Sequence, residues 1–573
     1  MPNRAHRIFI PLAAFLAILP ILLKGPSCGH DFDFHLLSWL EASTQFAHLH
    51  YPHWAYTPAF NAGEPRFIFY PPLSWALGAI LGLILPWTLV PAAFTLIALT
   101  LSGFSAHALA RRYATTNAAT LAAILYLLNP YMLFTAYERT AYGELLAAAW
   151  LPLLFAAALA PRIRIVPLAI PIALLWLTNA PAAVMSCYTL AILTLLRLAL
   201  GVPHDRLQQS AEPIVGLGNV TSEPRIHLAL ATVAATLLGL TLSAFYLLPA
   251  AYERSLIQSD MATISGMRIA DNTLFHHMTP VTDDTLAHDV VLHTASLIAI
   301  LMLAAILVAA ITNWVPHPRG ARAGLDEAKP LPSSLYPLPL LLALLLTPIS
   351  LPIWTRTPEL RFLQFPWRLT AILSTILVLF AARACTRLKL TLVQSTLAAT
   401  ALAALLILPA WHTFNQPCDE EDTVQARVSL YHSNLGTDPT DEYTPTSADN
   451  DALGKTDPPY WLAPSLDACD QPAPPNAQPG QAPQHLTLTL AQPELLILDR
   501  RNFPLWRVTV NGTPAATCNR NDGLIAIPLP AGRDTVDLAQ HPTPDQTAGL
   551  ALTGIALALS LILRTPQLST EKL

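Results

Sequence analysis

Two carboxylates and two imidazoles fall within six residues in Gly29-His30-Asp31-Phe32-Asp33-Phe34-His35, directly after the first long apolar run. Asp31 and Asp33 are the catalytic candidates, flanked by His30 and His35. A carboxylate here can take a proton from an attacking hydroxyl, or hold a divalent cation such as Mg or Mn through hard oxygen ligands. The plainer alternative is a solvated acidic turn that caps a helix, because D-x-D alone is weak evidence. A second group, Gly63-Glu64-Pro65-Arg66, precedes aromatics and the Pro71-Pro72 pair. Arg66 is either a phosphate ligand or simply the partner of Glu64. A third, Tyr137-Glu138-Arg139-Thr140-Ala141-Tyr142-Gly143-Glu144, puts ionisable groups at a helix mouth, where they are costly unless hydrated or paired. The candidates there are Glu138, Arg139, Tyr142 and Glu144, with an ion pair between Arg139 and either glutamate as the structural alternative. A fourth runs from Arg356 through Arg361, Gln364 and Trp367 to Arg368. Guanidinium forks suit phosphate oxygens, whereas Arg and Trp also serve as plain interfacial anchors. His276, His277, Asp283, Asp284, His288, Asp289 and His293 offer metal-ligand types, although most such loops are merely polar.

These residues need a frame, and composition supplies it. The chain has 573 residues, 53% hydrophobic and only 12% charged, about half the ~25% charged share of a soluble domain. That excludes a soluble enzyme. A net charge of -5 over this length leaves no basic footprint, so no nucleic acid partner is expected. The fold class expected is an α-helical polytopic membrane protein of about twelve crossings: 8–23, 88–110, 118–134, 144–160, 165–180, 182–198, 227–248, 291–313, 334–350, 367–384, 390–409 and 547–563. The positive-inside rule places Arg4 and Arg7, Arg111 and Arg112, Arg162 and Arg164, Arg319 and Arg322, and Arg383, Arg387 and Lys389 in the cytoplasm. The apolar stretch 71–87 would invert this pattern if it crossed, so it is read as in-plane or re-entrant. Both termini then lie inside, and 24–70, 249–290 and 410–546 lie outside. Residues 1–23 are read as a retained helix, because Lys24-Gly25-Pro26-Ser27-Cys28 carries no A-x-A cleavage pattern.

Domain boundaries follow from changes in composition. Residues 1–409 form the helical domain with the first outer loop at 24–70, and 410–485 is polar and partly irregular. Residues 486–546 alternate as strands in Leu486-Thr487-Leu488-Thr489-Leu490, Leu495-Leu496-Ile497-Leu498, Trp506-Arg507-Val508-Thr509-Val510 and Leu524-Ile525-Ala526-Ile527. Asn511-Gly512, Asp522-Gly523 and Ala531-Gly532 supply turns, which makes this segment a small β-sandwich-like domain outside the membrane. Residues 547–573 are the last helix and a cytoplasmic tail. Cys28, Cys418, Cys469 and Cys518 fall in outer segments, where disulfides persist, and a Cys418 to Cys469 bridge is one pairing the spacing allows. Phosphate-cradling, dinucleotide and H-E-x-x-H motifs are absent from the sequence.

The acidic turn after the first helix, the G-E-P-R…Y-P-P-L segment, Y-E-R-T-A-Y-G-E, L-Q-F-P-W-R and the terminal strands resemble the bacterial membrane-protein family labelled 6-pyruvoyl-tetrahydropterin synthase-related. That family is similar to the YfhO-like proteins and the C-type glycosyltransferase (GT-C) superfamily, and the resemblance covers about residues 1–563. Pterin synthesis itself is rejected, since the chain offers no compact histidine site in a soluble sheet. The resemblance implies a membrane transferase whose donor is a polyprenyl-phosphate or polyprenyl-diphosphate sugar, with membrane lipids and an envelope glycan, lipid or protein acceptor as partners. Asp31 would be its base or metal ligand, Asp33 the neighbour, and Glu144 a second acidic residue and tentative metal ligand. Arg66, Arg139, Arg361 and Arg368 would face the lipid phosphate. The 138–144 segment lacks the D-x-D of oligosaccharyltransferases, which leaves metal dependence open. The implied location is a bacterial inner membrane with the catalytic face outward, and the implied stereochemistry is inversion. Two competitors stay in view: a lipid-linked polymer flippase and a silent envelope-assembly scaffold. Charges gathered at helix mouths rather than at helix centres favour surface chemistry over translocation.

Overall fold

The computed structural model describes residues 6–200, 225–314, 329–464, 466 and 469–564. Among the described residues nine helices are long and apolar enough to cross a membrane; a tenth follows if Ser333–Leu345 and Pro348–Arg356, bent by 90°, form one span. Several expected crossings are not single straight helices. The 144–160 run breaks into Tyr142–Ala147 and Leu151–Ala158, and 165–180 becomes Ile165–Thr178, 14 residues with Pro171 inside. Hydropathy counts apolar residues rather than straight length. A 14-residue helix is about 21 Å long, short of a ~30 Å hydrocarbon core. Pro72–Ile84, inside the 71–87 stretch, has 13 residues and is shorter still.

Small residues let the helices approach closely, as membrane packing requires. A Cβ on Gly103 would meet Ile10 Cγ2 at 2.5 Å, and one on Gly239 would meet the Ala169 carbonyl at 2.9 Å. One end of the bundle gathers the basic loops. There Arg112 donates to Ala156 O, Arg387 to Thr312 O and Asn313 O, and Thr115 N to Thr386 Oγ1 at 3.2 Å. Arg4, Arg319 and Arg322 lie outside the described residues. At the opposite end Ser27 Oγ donates to Tyr137 O at 2.6 Å, and Cys28 N donates to Gln416 O at 3.0 Å. This second end carries the candidate residues.

Among the described residues seven strands sit beyond the same end: β1 (Tyr460–Ala463), β2 (His485–Leu490), β3 (Glu494–Arg501), β4 (Trp506–Val510), β5 (Thr513–Pro514), β6 (Leu524–Leu529) and β7 (Gly532–Gln540). They form two antiparallel sheets ordered β1-β3-β6 and β2-β7-β4-β5. Leu496, Leu498, Ile525 and Ile527 of one sheet share an apolar cluster with Val508, Val536 and Leu538 of the other. The sheet begins earlier than alternation suggested, because β1 lies in the polar 410–485 segment and pairs Leu462 with Leu496. The first loop joins this cluster through Trp54, whose ring lies 5.6 Å from Trp506.

The cysteines pair differently from the expected Cys418 to Cys469 bridge. Cys28 bonds Cys418, with Cα atoms 5.0 Å apart, and Cys469 bonds Cys518. The physical reason is tertiary: the strap after the Leu392–Phe414 helix folds back on the end of the His6–Lys24 helix, whereas Cys469 sits beside the sheets. Cys187 and Cys385 remain free.

Glu253 closes the Ala244–Glu253 helix and meets the start of the Pro544–Arg564 helix. Its Oε1 accepts from Thr543 Oγ1 at 3.1 Å and Gln546 Nε2 at 3.4 Å. Glu253 Oε2 and Asp545 Oδ2 are both buried without another donor, so a proton on Glu253 donated to Asp545 satisfies them. Burial, then the contact with Asp545, pushes the Glu253 carboxyl up to about 8. The folded protein holds this proton where the unfolded chain, near 4.5, has released it. Its stabilising contribution is full below about pH 4.5 and is lost as pH rises to about 8. Thermal unfolding in detergent should therefore show a midpoint that falls across that interval, and Glu253→Gln should flatten the dependence. An unchanged slope in the variant would remove Glu253 as its source.

Candidate functional site

Three chain segments distant in sequence meet at the second end of the bundle. Gly29 makes the first contact possible, since a Cβ there would stand 2.1 Å from the Glu138 carbonyl oxygen. With no side chain in the way, Asp31 N donates to Arg139 O at 3.0 Å, and the Phe32–Ala47 helix starts directly after Asp31. The second segment follows a helix restart at Asn129, whose side chain accepts from Tyr131 N and Met132 N ahead of Pro130–Tyr137. A sharp turn then follows, with Thr140 at φ 46°, a left-handed conformation that costs a β-branched residue energy and is kept only where surroundings enforce it. The third segment is Pro366–Leu369, one turn before the Thr370–Arg387 helix.

The side chains form a chain of charges. Asp31 Oδ2 lies 3.3 Å from Arg139 Nη2, Arg139 Nη1 lies 2.7 Å from Glu144 Oε2, and Glu144 Oε1 lies 2.6 Å from Arg368 Nε. Tyr131 Oη donates to Glu144 Oε2 at 3.4 Å. Arg139, Glu144 and Arg368 side chains are less than 10% exposed, while that of Asp31 is 39% exposed. Asp31 is thus the wet end of a buried network. The Arg139 guanidinium stacks over Trp367 at 4.9 Å, and Arg368 stacks over Phe365 at 4.7 Å. Burial pulls the Arg139 guanidinium down, but Glu144 and Asp31 outweigh it and hold its pKa above the usual value. It stays charged at any working pH.

His35 lies one helical turn beyond Asp31, with Nδ1 3.2 Å from Tyr70 Oη and its ring edge-on to Tyr142 at 5.2 Å. Burial, only partly opposed by Asp31, lowers its pKa to about 4, so the imidazole is neutral near pH 7. Tyr142 is buried among His35, Trp39 and Phe94. Gln364 accepts from Arg368 Nη1 at 3.3 Å. His30 is exposed beside Asp31.

Other expected members lie elsewhere. Asp33 points to Arg427, which Asp422 also holds, so it does not join Asp31. The period of a helix explains this: residues two apart leave on opposite sides. Arg361 is exposed, pairs with Asp260 at 3.0 Å and lies over Phe362, away from the network. Arg66 is buried against Glu64 at 2.7 Å, with Ser38 and Thr440 each at 3.1 Å, and so braces the first loop instead of facing a ligand. Glu138 is buried and bonds Gln416, not Arg139. The 276–293 segment is a loop only up to residue 282, since the Asp283–Trp314 helix starts directly after it; His277 and His288 each pair with Asp289. Among the described residues no three His, Cys, Asp or Glu side chains are grouped to hold a metal. The divalent cation expected on Asp31 and Glu144 does not fit these residues, because guanidinium groups already occupy both Glu144 oxygens. Sequence reasoning missed Tyr131 and the spacing role of Gly29; the Asn129-Pro130 helix restart was the available signal for the first.

No family model and no curated protein matches the chain, so the label drawn from the sequence resemblance is without support from either. Solved structures similar to it include arabinofuranosyltransferase AftD from mycobacteria, at 13% identity over 94% of this chain and 40% of AftD, with a TM-score of 0.42. The Archaeoglobus fulgidus oligosaccharyltransferase in its apo form is similar at 16% identity over 73% of this chain and 57% of that one, with a TM-score of 0.39. The oligosaccharyltransferase AglB from the same organism, in complex with an inhibitory peptide and a dolichol-phosphate, aligns at 16% identity and a TM-score of 0.37, again over 73% of this chain and 57% of that one. The chain spans less than two thirds of the length of each.

Among the described residues Glu144 is the only anion that touches both buried guanidinium groups. Breaking a buried ion pair from one side costs about 3–5 kcal/mol. Glu144→Gln should lower the unfolding free energy in detergent by that order, and Glu144→Asp by less. A loss below about 1 kcal/mol would mean that water reaches the pair in the native state.

Proposed function

We propose that the protein is an integral-membrane glycosyltransferase that moves a sugar from a polyprenyl-phosphate or polyprenyl-diphosphate donor to an envelope glycan, lipid or protein acceptor at the outer face of a bacterial inner membrane. The observation that carries this reading is the half-exposed Asp31 carboxylate at the mouth of the buried Arg139–Glu144–Arg368 array. The chemistry follows from charge. Two arginines and two carboxylates leave the array neutral, so it does not hold a phosphate by net charge at rest. An acceptor hydroxyl attacks the anomeric carbon, and Asp31 takes its proton. The bond from that carbon to the phosphate oxygen breaks, and the electron pair leaves with the phosphate. As Asp31 is neutralised, Arg139 loses one of its two counter-charges and the array becomes net positive. Positive potential thus appears as charge develops on the leaving group, which is when stabilisation accelerates a reaction. No cation is needed for this step, and attack opposite the leaving group gives inversion.

The two sheets, fastened to the first loop through Trp54 and Trp506, serve as the positioning module for the acceptor. The domain plan we infer is a helical body, a strap and polar segment from 410 that also contributes β1, a β module continuing to Gln540, and the final Pro544–Arg564 helix. Nothing in the array suits a flippase path, since its charges pair with one another near a single end of the bundle.

The full chain, reconstituted in lipid and incubated with radiolabelled polyprenyl-phosphate sugars and cell-envelope acceptors, should transfer label. Asp31→Asn should cut the rate by about 10²- to 10⁴-fold, the usual value of a positioned general base, with a smaller loss of stability than Glu144→Gln because Asp31 is the most exposed member. Chelation with EDTA should leave the wild-type rate intact. Retained transfer in Asp31→Asn would refute Asp31 as the base, and a scaffold would show no label transfer in either protein.

A further inference from the structure

A cleft of about 760 Å³ opens at the site end of the bundle, clear of Asp31. It lies between the last turn of the His6–Lys24 helix, the Trp87–Leu89 turn, and the strap that the Cys28–Cys418 bond fastens down. That volume falls within the ~300–1,000 Å³ typical of small-molecule sites. One wall is apolar and built from helix ends: Ile21, Leu22, Leu89 and Trp411. Leu22 is 40% and Leu89 43% exposed, which leaves this wall open. Lys24 and His412 also line the cleft, and among the described residues no carboxylate does.

The turn that joins two of the lining residues has the opposite sign. Cys418 and Thr423 both line the cleft, and the residues between them are Asp419-Glu420-Glu421-Asp422. Asp422 N donates to Asp419 O at 3.1 Å, closing a turn in which Asp419, Glu420 and Glu421 are exposed. Of these four carboxylates Arg427 pairs with Asp422, and it is shared with Asp33. The order is therefore apolar helix ends, then Lys24 and the His412 ring at the last turn, then anions on the strap. In a zwitterionic aminophospholipid the same order runs through acyl chains, phosphate and ammonium. An anionic phospholipid without the ammonium would meet repulsion from the exposed carboxylates of Asp419, Glu420 and Glu421, which lie in the turn between two lining residues.

We propose that this cleft binds a phosphatidylethanolamine headgroup, with its phosphate at Lys24 and His412 and its ammonium at the 419–421 carboxylates. The cleft wall bears on the site by a short route. Gln416, a lining residue, donates its N–H to Ser27 Oγ at 2.8 Å and accepts from Cys28 N at 3.0 Å, immediately before Gly29. A bound lipid thus braces the strap on which the Gly29 approach rests. This inference concerns a separate site and stands without the transfer reaction.

Native mass spectrometry of the delipidated full chain tests it, with phosphatidylethanolamine, phosphatidylglycerol and polyprenyl phosphate supplied at equal concentration. Phosphatidylethanolamine should be retained about tenfold more than phosphatidylglycerol, equivalent to ~1.4 kcal/mol. Lys24→Gln should reduce that retention, and the double variant Glu420→Lys/Glu421→Lys should reverse the preference towards phosphatidylglycerol. These positions are exposed, so both variants should fold, as an unchanged unfolding midpoint will show. Equal retention of the two phospholipids, or insensitivity to both variants, overturns the proposal. One-for-one displacement of phosphatidylethanolamine by polyprenyl phosphate also overturns it, because the cleft would then belong to the donor. Asp31→Asn, which stops the proposed transfer, should leave lipid retention unchanged, so the two readings fail independently.

Discussion

Four charges from three distant segments must neutralise one another where water is scarce, and that requirement governs the end of the bundle where they meet. Glu144 cannot ionise there without Arg139 and Arg368, and neither arginine can be buried without it. The pairing fixes the spacing of the 137–144 turn, the start of the Thr370–Arg387 helix and the mouth of the first loop. Desolvation makes such an array costly, and its geometric demands are correspondingly strict. Asp31 escapes part of that cost by remaining half-exposed. The same exposure gives it access to a substrate proton.

The sequence made the ingredients of this site visible but not their partners. Asp31, Arg139, Glu144 and Arg368 stood out because ionisable residues are rare in a chain with 12% charged residues and sit at helix mouths. Asp33 and Arg361 stood out for the same reason and belong elsewhere. Asp33 leaves its helix towards Arg427, more than 390 positions away, and Arg361 faces Asp260 in a loop that hydropathy leaves undefined. Long-range partners of this kind carry no local signal. Disulfide connectivity failed for that reason too: the Cys28–Cys418 bond spans 390 residues and depends on how a strap folds back.

The helical frame was legible where apolar runs were long and unbroken, as in the Asp283–Trp314 helix, whose apolar part covers the expected 291–313 crossing. It was less legible where proline divided a run. Pro152 and Pro171 leave mean hydropathy high while breaking the path or limiting its length, so composition overstates what a segment can span. Four of the strands after residue 485 (β2, β3, β4 and β6) were legible as apolar or alternating runs; β1, β5 and β7 were not, because β1 is four residues inside a polar stretch, β5 is two residues, and the charges in Gly532–Gln540 mask its period.

The first loop and the sheets are mechanically one body, although composition separates them by some 400 residues. Arg501 N donates to Ala62 O at 3.0 Å, Phe60 N to Thr437 O at 2.9 Å, and Gln540 Nε2 to Tyr56 Oη at 2.9 Å. Glu64 Oε2 accepts from Thr440 N at 3.0 Å while its other oxygen holds Arg66. Glu41 joins the same brace from the Phe32–Ala47 helix by accepting from Tyr56 N and Thr57 N, and burial raises its carboxyl above the usual range despite those bonds. That helix starts at Asp31. A shift of the sheets relative to the bundle would therefore act along the helix that carries the proposed base. The β module then acts on the site through covalent and hydrogen-bonded continuity, and a partner held by the sheets would be placed relative to Asp31 by the same helix.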